Sequence, residues 1–259
     1  MSQPEIGSHC ASVGFFGFLS VFPVMAVFVL IYGLAFTAAE MESQVAALQP
    51  FVPSVVYNLL DERLKSLASN PASHLTVGLV STTLIALYLG SRGIRYMIFL
   101  LNIAYHEHQP RSFVRRIILS IALTLGALII LILSLALLAV LPLIAAHLPF
   151  PTATQDLVML ARWPLLMAVI FASFSALYRI APNRSRADLR GQLSGAALAT
   201  VLWLGLSVAF SYYVANFSHY GATFGALSAG VVLMLWIYYS AYIIALGAAL
   251  NFEMEKPPV

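Results

Sequence analysis

Six long apolar runs broken by short polar stretches set the pattern of this chain: roughly 11–36, 74–91, 114–146, 157–180, 190–216 and 222–251. An α-helix needs about 20 mainly apolar residues to cross the hydrocarbon core of a bilayer. Five runs meet that length comfortably. The run 74–91 is shorter and is diluted by Ser81, Thr82 and Thr83. Pro23, Pro142 and Pro164 fall in or near three of the runs, where a membrane helix tolerates them as kinks. The pattern predicts an all-α polytopic membrane protein of six transmembrane helices, built as a single membrane domain over 1–259.

Two shorter stretches carry their own pattern. From Pro53 to Asn70, Val56, Leu60, Leu64 and Leu67 fall on one helical face, while Asp61, Glu62 and Lys65 lie elsewhere. That predicts an outer amphipathic helix, with Pro53 suited to its start. From Gly93 to Tyr105 the chain is apolar but short, which predicts an inner interfacial helix.

Composition fixes the solvent. Of 259 residues, 61% are hydrophobic and 9% charged, against about a quarter charged in a soluble domain. A water-soluble fold of this size could not hide that much apolar surface. The first ten residues hold no Lys or Arg, so the first run reads as a retained helix rather than a cleaved signal peptide. Cys10 stands alone, which excludes an intramolecular disulfide framework and fits a small packed residue.

The formal net charge is only +3, so the placement of basic residues says more than their sum. Arg92, Arg95, Arg111, Arg115, Arg116, Arg179, Arg184, Arg186, Arg190 and Lys256 fall in alternate connections or the tail; Arg63, Lys65 and Arg162 fall in the others. Cytoplasmic loops gather Lys and Arg. This asymmetry predicts cytoplasmic N- and C-termini, and it makes Arg179, Arg184, Arg186 and Arg190 topology residues first. Basic turns of this kind also meet anionic lipid headgroups.

Candidate chemistry is sparse. His106, Glu107 and His108 adjoin, but without the spacing that sets two imidazoles on one helix face; a solvated loop is expected, with neither metal nor cofactor. The thin loops offer no carboxylate set for phosphodiester cleavage, so neither an enzyme nor a nucleic-acid partner is expected. Arg162 stands out because charges within a span are costly and mark function. It reads either as an interfacial anchor beside Trp163 or as a charge facing an outward-opening cavity. Tyr213, Asn216 and Tyr220 are further candidates for the lining of such a cavity. Gly191, Gly195 and Ala199, like Gly221, Gly225 and Ala229, recur at the four-residue spacing that lets helix backbones approach in lipid.

Several longer stretches carry a resemblance: "FLSVFPVM", "SRGIRYMIFLLNIAY" followed by "RSFVRRIILSI", "RWPLL", "LYRIAPNR", "GAALATVLW", and the long block from "YVANFSHYGATFG" to "GAALNFE". With these the chain resembles the YihY/BrkB family of bacterial inner-membrane proteins, formerly labelled ribonuclease BN-like. The resemblance covers nearly the whole length and singles out Asn102, Tyr105, Pro182 and Asn251 as motif positions. It implies six spans with both ends cytoplasmic, and links to envelope-lipid handling and to cation/proton exchange. Ala249 stands where members commonly carry Glu, which counts against proton coupling. The expectation is a transporter or lipid-handling protein acting on an anionic or amphipathic substrate, with membrane lipids as partners. A scaffold that self-associates or binds an envelope protein is the alternative, and an antiporter the third.

Overall fold

A chain surrounded by lipid must pair its own backbone N–H and C=O groups, and helices do this within one segment. The computed structural model describes residues 3–35, 72–107, 111–137, 152–184, 189–217 and 221–255, and each of these segments is helical over most of its length. The helices are α1 (Gln3–Ala35), α2 (Ala72–Ala104), α3 (Phe113–Leu135), α4 (Thr152–Ile180), α5 (Leu189–Phe217) and α6 (Gly221–Met254). All six are long and apolar enough to cross a membrane, and no strand occurs among the described residues. α1 and α4 continue through Pro23 and Pro164; Pro142 lies outside the described residues, as does the stretch 53–70.

One expectation needs correction. Residues 93–105 do not form a separate interfacial helix, because α2 runs unbroken from Ala72 to Ala104. Its last turns are core rather than surface: Leu100 and Leu101 are fully buried and Ile98 nearly so. Packing on that side removes the reason to lie flat along an interface. Arg95 folds back so that its Nε donates to the Ser91 carbonyl at 3.3 Å.

The chain divides into two compact units, residues 19–89 and residues 1–18 with 90–259. In the smaller unit Gly78 of α2 faces Leu30 of α1. The larger unit holds the buried cluster, in which Ala196, Ala199, Ala241 and Ala248 let α5 and α6 approach closely. These two helices run antiparallel. Gly195 sits against Gly247, Trp203 Nε1 donates to Ser240 Oγ, and Trp236 Nε1 donates to Ser207 Oγ, so numbers rise on one helix as they fall on the other. Large apolar side chains such as Val208 and Ile129 point outward, about two-thirds exposed. Lipid tails would cover them at no cost.

Candidate functional site

The site grows from the residues that end α4. Pro182 disfavours helical backbone at the residue before it, so α4 stops at Ile180 and leaves carbonyls without helical partners. Arg111 takes them up. Its Nη1 donates to Ala181 O at 2.9 Å, its Nη2 to Pro182 O at 2.7 Å and Ile180 O at 3.3 Å, and its Nε to Asn183 Oδ1 at 3.0 Å. One planar guanidinium thus closes the whole turn, a geometry that a lysine cannot match. Asn183 N–H in turn donates to Asn102 Oδ1 at 2.9 Å. Burial, and then the neighbouring charge of Arg115, push the Arg111 pKa down from its ordinary value.

α2 ends beside this turn. His106 takes the left-handed conformation (φ 55°). The His106 N–H donates to Ile103 O, and the Glu107 N–H to Asn102 O. Both bonds match the pattern of a Schellman cap, here with His instead of the usual Gly. The exposed His106 ring lies 4.4 Å, centroid to centroid, from Phe252. The His-Glu pair therefore lies in the expected loop just past α2, with the exposed His106 closing the helix and its ring against Phe252 of α6; His108 lies outside the described residues. Among the described residues no group of His, Cys, Asp and Glu could hold a metal.

Around Tyr105, α2, α4, α5 and α6 lock together. Asn251, fully buried, accepts the Gly195 N–H on Oδ1 at 2.6 Å and donates from Nδ2 to Tyr105 Oη at 2.8 Å. Tyr178, also fully buried, donates its hydroxyl to Ile244 O at 2.9 Å. The Arg184 guanidinium lies 4.3 Å from the centre of the Tyr105 ring and forms an ion pair with Glu255. Burial pushes the Tyr105 phenol above its ordinary value, outweighing the hydrogen bond from Asn251 and the charge of Arg184; it stays protonated at neutral pH. All four motif positions, Asn102, Tyr105, Pro182 and Asn251, thus meet at one arginine-rich end. Two buried donors there, Arg184 Nη1 and Gln192 Nε2, have no hydrogen-bond partner.

The other candidates lie elsewhere. Arg162 is half-buried on α4 with its guanidinium 5.2 Å from the Trp163 ring centre. Its Nε is buried and without a hydrogen-bond partner, while Trp163 is 55% exposed. Tyr213 is half-exposed on α5. Asn216 falls in the last turn of α5 with its side chain outside the described residues, and Tyr220 lies outside them altogether. Arg179 is exposed, Arg190 opens α5 with its side chain undescribed, and Arg186 is outside. Arg111 as the staple of the turn, along with Tyr178, Gln192 and Glu255, is not marked as a site residue by the sequence. The only local hint was the carbonyl-freeing Ala-Pro-Asn, which gives no clue to what would cap it.

A family model described as Virulence factor BrkB matches residues 1–258. A ribonuclease-like protein of Bacillus subtilis, YfkH, is 32% identical over 258 residues, covering 96% of this chain and 90% of that protein. UPF0761 membrane proteins of Xanthomonas campestris and Xanthomonas oryzae are 40% and 41% identical over 89 and 88 residues. Those matches take in 34% of this chain, but only 21% and 20% of the Xanthomonas proteins. No solved structure matches the chain. A whole-length match to one family, six helices fit to span a bilayer, and motif residues that converge on one lock lead to one statement: this chain is an integral membrane protein of the BrkB family.

Proposed function

We propose that this protein moves or positions an anionic amphipathic molecule, a lipid or lipid-like substrate, without covalent chemistry. One observation carries the reading: the Arg162 guanidinium with its unused, buried Nε. Arg162 precedes Ile180, the last residue of α4, by eighteen positions, or about 27 Å along a helix rising about 1.5 Å per residue. With Ile180 at one boundary of a hydrocarbon core about 30 Å thick, Arg162 falls close to the opposite boundary. Phosphate groups lie at that level. A guanidinium there costs far less than one at mid-depth, and an oxyanion would use the donor left over. The exposed Trp163 beside it suits the same boundary.

The arginine-rich end faces the cytoplasm of a bacterial plasma membrane in this reading, with both termini on that side. The asymmetry of Arg and Lys supports it. A reporter fused between Arg184 and Leu189 should be inaccessible to membrane-impermeant reagents in intact cells; labelling from outside would reverse the orientation.

The transport reading is tested in proteoliposomes carrying a headgroup-labelled anionic phospholipid. The protein should speed transfer between leaflets, and Arg162→Ala should reduce the rate at least about tenfold, the worth of one hydrogen bond to a charged group. Arg162→Lys should keep part of it. Transfer no faster than in empty vesicles, for anionic and zwitterionic lipid alike, would refute the reading.

A further inference from the structure

The lock at the arginine-rich end leaves two donors over. Arg184 gives one terminal nitrogen to Glu255, while its Nη1 is buried with no hydrogen-bond partner; the side chain is 7% exposed. Gln192 is 3% exposed, and its Nε2 is likewise unpartnered. Natural structures rarely leave such donors unused, and each one calls for an explanation.

Their placement brings them to one level. Gly195 and Asn251 are joined by a hydrogen bond across the antiparallel α5 and α6. Gln192 lies one turn before Gly195, and Glu255 one turn after Asn251, so both stand toward the same end. Tyr105 bridges the group, holding the Asn251 amide on its hydroxyl and Arg184 on its ring face. Arg184 thus stands between the Tyr105 ring and the Glu255 carboxylate, and Gln192 is turned toward the same end from α5.

Two buried donors, one of them cationic, select an acceptor with at least two oxygens and a negative charge. Glu255 already offsets the charge of Arg184, which favours a monoanion over a dianion. We propose that Arg184 and Gln192 form an oxyanion site that takes a singly charged phosphate, either in a lipid headgroup or free in solution. This site is separate from Arg162 and does not depend on the transport reading.

The experiment uses the full-length protein in neutral detergent with two probes, inorganic phosphate and a short-chain phosphatidylglycerol. Chloride and the matching diacylglycerol serve as blanks. Saturable binding, read by calorimetry and as a rise in thermal midpoint, is expected for at least one probe. Binding of phosphate alone assigns a soluble anion, and binding of phosphatidylglycerol alone assigns a headgroup. Gln192→Leu, which removes the donor and keeps the volume, should weaken binding about tenfold. Glu255→Gln, which removes the competing carboxylate, should tighten it several-fold even where the fold is less stable. A purely structural pair would move only the thermal midpoint. No saturable binding of either probe, or binding that neither substitution changes, would overturn the proposal.

Discussion

Gly195→Ala separates α5 from α6 and costs the protein its stability. A Cβ at Gly195 would fall well inside contact distance of the Gly247 carbonyl and the Asn251 side chain. Gly247→Ala meets the same obstacle, against Tyr178 Oη and the Gly195 carbonyl. The obstructing atoms belong to helix backbone and to hydrogen-bonded side chains, so neither site can relax by turning a free rotamer. Overpacking a well-filled site costs about 1–3 kcal/mol, and more where backbone must move. Each substitution should exceed about 3 kcal/mol, since Gly195→Ala also breaks the bonds from Asn251 to Gly195 and Tyr105, and Gly247→Ala the bond from Tyr178 to the Ile244 carbonyl. The expected readout is a large fall in thermal midpoint in detergent and loss of the monodisperse peak. Gly126 and Gly205 provide the contrast: a Cβ at either meets nothing within 4 Å. Gly126→Ala and Gly205→Ala should leave the midpoint unchanged, or raise it through helix propensity worth up to about 1 kcal/mol. If all four substitutions behaved alike, close helix contact would not be what holds this seam.

Arg111→Ala should loosen the arginine-rich end. It removes four donated hydrogen bonds at once and leaves three carbonyls and the Asn183 amide oxygen without their donor. Water can reach the half-buried turn and replace part of the loss, so the expected cost is about 2–4 kcal/mol rather than the full sum. Arg111→Lys keeps the charge but not the fork, and should recover less than half. Faster amide exchange confined to residues 177–184 and 100–107, together with a lower midpoint, would identify the staple. An Arg111→Lys protein as stable as the wild type would show instead that the charge alone matters.

The hydrophobic pattern made the six helices legible, because the requirement for about 20 apolar residues is local and each run carries its own signal. Boundaries were less legible. Residues 93–105 read as a separate interfacial helix because the stretch is apolar but short, yet Leu100 and Leu101 are fully buried and α2 continues through them. His106 and Glu107 read as loop and do lie past the end of α2, but the sequence does not show that a left-handed His closes that helix. The arginine cluster was visible as a charge asymmetry. That asymmetry could not separate Arg111, which closes a turn, from Arg179, which is exposed.

From its sequence alone the chain settles its solvent and its class: 61% hydrophobic residues in six long runs permit only helices in lipid. Motif resemblance also picked out Asn102, Tyr105, Pro182 and Asn251, without saying what they do. Tertiary structure alone decided that. Asn183 meets Asn102 across 81 positions, and Asn251 meets Tyr105 across 146. Hydropathy is summed along a segment, whereas a hydrogen bond needs two atoms within about 3 Å. Only the packing of α2, α4, α5 and α6 brings atoms so distant in the chain that close.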